Sequence, residues 1–244
     1  MLEYPDHIRW RKKIGSDVFS NYGKSDVKKI RQLLKSMESY EIEVSIAELN
    51  EPALSSFLAM YKKKFDTEND IRGKISRQQN PESPYQMLTL SQRGAFLGGI
   101  IFRFKNDALY VAFRVFEKEW GHESPRCSPA LFAEFQLDVY AHHKSVFTII
   151  HGKDRNLYGQ DLKIGLAVFK LSIGCFPEPS RSSRSKSLDI RTLQQDTLVF
   201  HSPPEGQRIT DATLFLLPNS QAPDSVLNQL QKYTQVFTLH TQTL

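Results

Sequence analysis

The sequence predicts an α/β (α+β) protein: a mixed, twisted central sheet flanked by helices, with a C-terminal strand–helix–strand extension. Three observations carry this expectation. Two apolar runs rich in β-branched and aromatic residues, 94–104 and 108–116, are joined by the turn dipeptide Asn106-Asp107, which makes a hairpin. Ser128-Pro129 then supplies a helix N-cap with proline at the first helical position, and Leu131, Phe135 and Val139 recur on one helix face. A short buried-type strand at 146–150 is followed by 162–171, apolar nearly all round and so a buried helix.

The remaining elements follow in order. In residues 1–24, Arg9, Arg11, Lys12 and Lys13 surround Trp10; this arm suits phosphate contact or a solvated amphipathic segment. Ser25-Asp26 caps a helix over 25–39, with Val27, Ile30, Leu33, Leu34 and Met37 inward and Lys28, Lys29, Arg31 and Lys35 outward. Strict alternation over 41–46 gives a half-buried strand, and Pro52 opens a helix through Lys64. Residues 66–84 are polar and irregular, either a surface connection or a loop over a site. Residues 85–90 form a strand leading into the hairpin. Residues 151–159 are a polar turn ending at Gly159. The Pro/Ser/Arg stretch has nothing to bury, so 180–187 is expected to be a mobile linker. Strands at 197–201 and 212–217, a helix at 223–233 and a strand at 236–239 close the chain. The expected organisation is an arm at 1–24, one domain at 25–179, the linker, and 188–244 completing or extending the domain.

Composition narrows the function. The 244 residues carry a formal net charge of +5, which suits an anionic ligand such as a nucleotide, coenzyme A or RNA. The two cysteines, Cys127 and Cys175, exclude a disulfide framework and fit a reducing cytoplasm. No apolar run reaches the ~18–20 residues of a membrane helix. No basic stretch followed by an apolar core opens the chain, so a signal peptide is not expected. His142 and His143 are adjacent and cannot chelate one metal as an i,i+4 pair does; no zinc spacing, Gly-x-Ser-x-Gly elbow or P-loop occurs. No bound cofactor or metal is expected.

The order helix, strand, helix, loop, strand, hairpin, helix, strand, helix resembles the GNAT (N-acetyltransferase) superfamily, and within it the Fem-type aminoacyltransferase branch. The resemblance covers about 25–179. It rests on the basic helix at 25–39, the strand and helix at 41–65, Gly98-Gly99-Ile100-Ile101-Phe102 as central strand, Ser128-Pro129-Ala130-Leu131 as the start of the helix beside the donor, and 165–174 as the helix ending in lysine and glycine. Two departures stand out. Fem-type proteins usually carry two such domains, and one clear copy is present here, with 188–244 a shortened second unit or merely closing strands. The paired-glycine coenzyme A loop is replaced by 117–128, whose one glycine is Gly121. Acyl-coenzyme A and aminoacyl-tRNA both stay open as donor.

The resemblance implies an acyltransferase or aminoacyltransferase acting on an amine. Splayed strands 108–116 and 146–150 would offer backbone N–H groups to the oxyanion. The helix N-terminus at Ser128, with Cys127, Arg126 and Arg114, would hold the donor's anionic part, the alternative being an ordinary capped helix beside a surface arginine. A helix N-terminus lowers a thiol pKa in principle, but Cys127 has no assignable histidine partner. Tyr158 would protonate the leaving group, or else packs the Gly159 turn. His151, Asp154 and Glu117 are candidate bases, each equally a solvated loop residue or cap. The expected partners are an activated acyl donor and an amine acceptor, with tRNA among the candidates. A catalytically inactive GNAT-shaped binding module and an RNA-binding accessory domain are the competing readings.

Overall fold

The computed structural model describes residues 2–65, 70–78, 80–121, 125–203, 208–218, 224–233 and 236–244. In chain order the elements are β1 (Leu2–Pro5), β2 (His7–Lys13), α1 (Lys24–Ser36), β3 (Ile42–Glu48), α2 (Glu51–Phe65), α3 (Ile71–Arg77), β4 (Gln86–Gln92), β5 (Ala95–Lys105), β6 (Ala108–Phe116), α4 (Pro129–His143), β7 (Thr148–Arg155), α5 (Ile164–Ser172), β8 (Phe176–Pro179), β9 (Ser185–Leu188), β10 (Thr197–Phe200), β11 (Asp211–Leu216), α6 (Asp224–Gln231) and β12 (Thr238–Thr243). The mixed α/β expectation holds. The chain forms two compact units, Lys13–Ile150 and Met1–Lys12 together with His151–Leu244.

The Lys13–Ile150 unit is built on β3-β4-β5-β6 and the start of β7. The first four strands are successively antiparallel, and β6 meets β7 in parallel. The turns dictate the meander. Arg93 and Gly94 have φ of 51° and 73°, and Asn106 and Asp107 have φ of 47° and 57°. Two consecutive left-handed residues match the twist of the strands they join. Gly98 belongs to the same logic, since a Cβ there would strike the Val115 carbonyl and the Phe116 ring. β5 is buried on both faces. Ile101 packs in a cluster with Leu54, Phe57 and Met60 of α2, while the Phe102 ring meets Tyr140 of α4 at 5.8 Å. Successive strand residues point to opposite faces, so α2 and α4 cover opposite sides of the sheet. Residues 66–84, expected to be irregular, contain α3, capped where the Asp70 side chain accepts from the Gly73 N–H; residues 66–69 and 79 lie outside the described residues.

In the other unit, β1 pairs β9, β2 lies between β7 and β8, and β10-β11-β12 form a third sheet. β11 and β12 are parallel, with α6 between them in the chain. Tyr4, Leu188, Val199 and Phe215 make one core cluster. The buried Asn156 side chain donates to the carbonyls of Pro5 and Phe200, at 3.0 and 2.7 Å, and accepts from the Phe200 N–H at 3.0 Å.

Three expectations need correction here. Residues 1–24 are not an arm: β1 and β2 are strands, with Ile8, Trp10 and Lys12 buried on alternate positions. Residues 151–155 are not a turn but the second half of β7. Residues 180–187 end in β9, where Ser187 opposes Glu3 and Ser185 opposes Pro5. The carboxylate of Asp6 accepts from the Arg184 N–H and the Ser183 hydroxyl, at 2.9 and 3.0 Å. Glu3 accepts from Ser185 and Ser187. Two carboxylates distant in sequence supply the order that the segment's own side chains do not.

Candidate functional site

Two clusters of chemistry-bearing groups stand out, one in each unit. The first gathers Asp154 and Tyr158 with two residues outside the expected site. Asp154 lies near the end of β7, and its Oδ2 accepts from Tyr158 Oη at 2.7 Å, Lys170 Nζ at 2.6 Å and Trp10 Nε1 at 3.0 Å. Trp10 Nε1 also donates to Tyr158 Oη at 2.8 Å. Lys170 Nζ reaches the His151 carbonyl at 3.3 Å and lies 5.5 Å from the centroid of the Trp10 ring. Tyr158 is fully buried, and the Lys170 and Asp154 side chains are 3% and 13% exposed. Local sequence explains the placement. The turn after Tyr158 is pinned because Gly159 has φ of 109° and a Cβ there would strike the Asp196 carbonyl. Lys170 sits in the last turn of an apolar helix, where a cation favours the helix dipole.

This geometry bears on the expected roles. A phenol that protonates a leaving group must meet it, and Tyr158 is sealed with its hydroxyl engaged by Asp154 and Trp10. Asp154 has its Oδ2 engaged by three donors from within its own unit. His151 is buried within β7. Lys170 and Trp10 had legible signals: a lysine inside an apolar helix needs a partner, and Ile8, Trp10 and Lys12 alternate as strand residues do.

The second cluster lies on β6 and the helices over it. β6 pairs with β7 at just two positions, Leu109 with Ile149 and Tyr110 with Ile150, yet β6 runs on to Phe116. The register between β5 and β6 shifts at the same place. Ile101 opposes Phe113 and Phe102 opposes Val111, so Ala112 is an extra residue without a counterpart in β5. A bulge bends a strand and re-aims its groups. Ala112 is exposed in the middle of β6, with Phe113 and Arg114 half-buried beside it. Arg114 reaches Glu134 of α4 at 2.8 Å, and the Glu134 side chain is fully buried.

The other expected site residues surround this strand without converging. Glu117 follows β6 and is held by Lys63 at 3.2 Å and Lys64 at 3.6 Å. The bond from Lys63, then the charges of both lysines, holds its carboxyl below the ordinary range, which makes it a weaker base. Ser128 is the N-cap of α4, its Oγ accepting from the Leu131 N–H at 3.3 Å, and it remains exposed. Arg126 is exposed and lines a cleft of about 150 Å³ with Lys29, Gln32 and Tyr40. Cys127 is corrected outright: it is buried, and burial pushes its thiol up to about 12, so its side chain meets no donor and forms no thiolate at neutral pH. Of the loop at 117–128, residues 122–124 lie outside the described residues. Among the described residues no group of three or more His, Cys, Asp or Glu is placed to hold a metal, and no helix is long and apolar enough to cross a membrane.

No protein-family model and no curated protein matches the sequence. Solved structures do match. FemX aligns with a TM-score of 0.51 at 10% identity, over 74% of this chain and 61% of that one. L-PGS from Bacillus licheniformis aligns at 0.44 and 7%, over 62% and 46%. The C-terminal domain of an Agrobacterium fabrum protein named as a lysylphosphatidylglycerol synthetase aligns at 0.49 and 11%, over 75% and 60%. The chain therefore spans less than two thirds of each of these structures. At such identities the likeness concerns architecture, and on the FemX match the chain has the Fem-type, GNAT-like fold that its element order led us to expect.

Proposed function

We propose that the chain transfers an activated acyl or aminoacyl group to an amine acceptor. The observation that carries this reading is the edge of β6, where the pairing with β7 stops at Tyr110 and Ala112 bulges and stands exposed, with Phe113 and Arg114 half-buried beside it. In the reaction the amine nitrogen bonds to the acyl carbon and the donor's C–S or C–O bond breaks. The nitrogen's proton ends on the leaving thiolate or alkoxide. The carbonyl oxygen is an anion midway, and fixed backbone N–H groups stabilise it without reorganising. A strand that leaves its neighbour while remaining part of a sheet is a rigid source of such groups. The exposed Ser128 end of α4 and Arg126 suit the anionic portion of a donor, either acyl-coenzyme A or aminoacyl-tRNA. The match to FemX, taken with the Fem-type element order, lends the aminoacyl version its support.

The test is direct. Purified protein is incubated with acetyl-coenzyme A or a charged tRNA and a panel of primary amines, and products are read by mass spectrometry. An N-acylated product is expected, together with a melting temperature raised by the donor that serves. The proposal fails if no donor raises the melting temperature and no product forms.

A further inference from the structure

α1 carries Lys24, Lys28, Arg31 and Lys35, spaced i, i+4, i+7 and i+11 and therefore on one face. All four are exposed, and all four line one groove of about 580 Å³ with Tyr22, Val27 and Gln32. The helix has one carboxylate, Asp26, and it is turned to Lys29 at 2.9 Å. Among the described residues none of the four groove cations is ion-paired. Folding does not require this. The core asks of α1 only Ile30 and Leu33, and glutamate on the outer face would relieve the repulsion between cations a turn apart. Arg31 is also held in place, its guanidinium 4.8 Å from the centroid of the Phe19 ring.

We propose that this groove docks the phosphodiester backbone of a single-stranded nucleic acid. The cations follow one another at rises of roughly 4.5–6 Å, over about 16 Å of helix. A regular row of this kind suits consecutive charges along a strand. The apolar residues a membrane would need, Ile30 and Leu33, are buried in the protein, and Leu34, the exposed one, lies outside the groove. Tyr22 is buried with its hydroxyl on Asp138 at 2.5 Å, so it offers no face for stacking bases. Binding is therefore electrostatic and indifferent to sequence. The inference does not rest on acyl transfer and stands or falls separately.

Fluorescence anisotropy with labelled oligouridylate and oligoadenylate of ~20 nucleotides tests it, four phosphate contacts giving a slope of log affinity against log salt of about −3. Both oligonucleotides are expected to bind alike. The Lys28→Glu/Arg31→Glu variant should lose at least ~10-fold in affinity and bring the slope to about −1.5. Lys118→Glu, at an exposed site that does not line the groove, should bind as the parent does. If the double variant melts early, Lys28→Ala replaces it, with an expected slope change of about 0.7. The proposal is overturned if no oligonucleotide binds at low salt, or if the α1 variants bind like the parent. It is also overturned if phosphatidylglycerol vesicles are bound and oligonucleotides are not.

Discussion

The Trp10–Asp154–Tyr158–Lys170 cluster and the β6 edge around Ala112 both concentrate polar groups, but they use them in opposite ways. In the first, one carboxylate oxygen takes three donors from inside the protein, and the phenol is fully buried. In the second, a strand inside a sheet stops pairing on one side, bulges, and leaves a residue exposed in its middle. The cluster with the more suggestive residue types has its polar groups engaged within its own unit, while the sparer strand leaves Ala112 exposed past the point where its pairing with β7 stops.

That contrast can be broken experimentally. Asp154→Ala strands Lys170 in a buried place, and breaking a buried ion pair in this way should cost about 3–5 kcal/mol, read as a lower midpoint in urea. A midpoint equal to the parent's would mean that the cluster does not hold its unit together. Phe135→Ala probes the helix over β6. Phe135 is buried and stacks on Phe19 at 4.9 Å, so the expected loss is again about 3–5 kcal/mol, at the lower end if Phe19 closes the gap. Tyr158→Phe removes one hydrogen bond from a carboxylate that keeps two other donors, and should cost about 1.5–3 kcal/mol with turnover per folded molecule unchanged. A slowed turnover at unchanged stability would restore Tyr158 as a proton donor. Ala112→Leu should alter stability by no more than about 0.5 kcal/mol, because the residue is exposed, while misplacing the acyl group enough to cost ~100-fold in transfer.

The smallest expected effect is local and depends on pH. The Arg184 N–H, then His7 and Ser183, hold the Asp6 carboxyl well below the usual carboxylate range. A depressed folded pKa contributes stability above the unfolded value of about 3.9, and that stability is lost as pH falls below it. The 180–188 stretch should loosen in acid before the rest of its unit. Asp6→Asn, which mimics protonation, should speed tryptic cleavage at Arg181 and Arg184 at neutral pH. Equal cleavage rates in variant and parent would show that Asp6 does not anchor the segment.

Local chemistry was readable and distant partnership was not. Asn106-Asp107 announced its hairpin and Ser128-Pro129 its helix, because each acts through the backbone of its immediate neighbours. β2 was misread as an arm because the inward row contains Lys12, and a buried lysine is rare enough to make the alternation look accidental. The 180–187 stretch has no apolar face, and the groups that order it come from Glu3 and Asp6. Tyr158 was placed by its position after a strand, but its burial depends on Trp10, almost 150 residues earlier. The Ala112 bulge leaves no mark in Val111-Ala112-Phe113-Arg114, which reads as uninterrupted strand.

The discontinuity of the unit that joins Met1–Lys12 to His151–Leu244 bears on synthesis. β1 and β2 are synthesised before their partners, the first of which, β7, begins some 140 residues after β2. At 5–20 residues per second that is a wait of roughly 7–30 s. The continuous unit can collapse during this interval. Ile8 and Trp10 meanwhile stay on an unpaired strand, the kind of segment on which chaperones act and from which aggregation begins. A nascent chain halted near Ile150 should therefore be protease-resistant except over β1 and β2, and resistance of β1 should appear only once β9 has emerged.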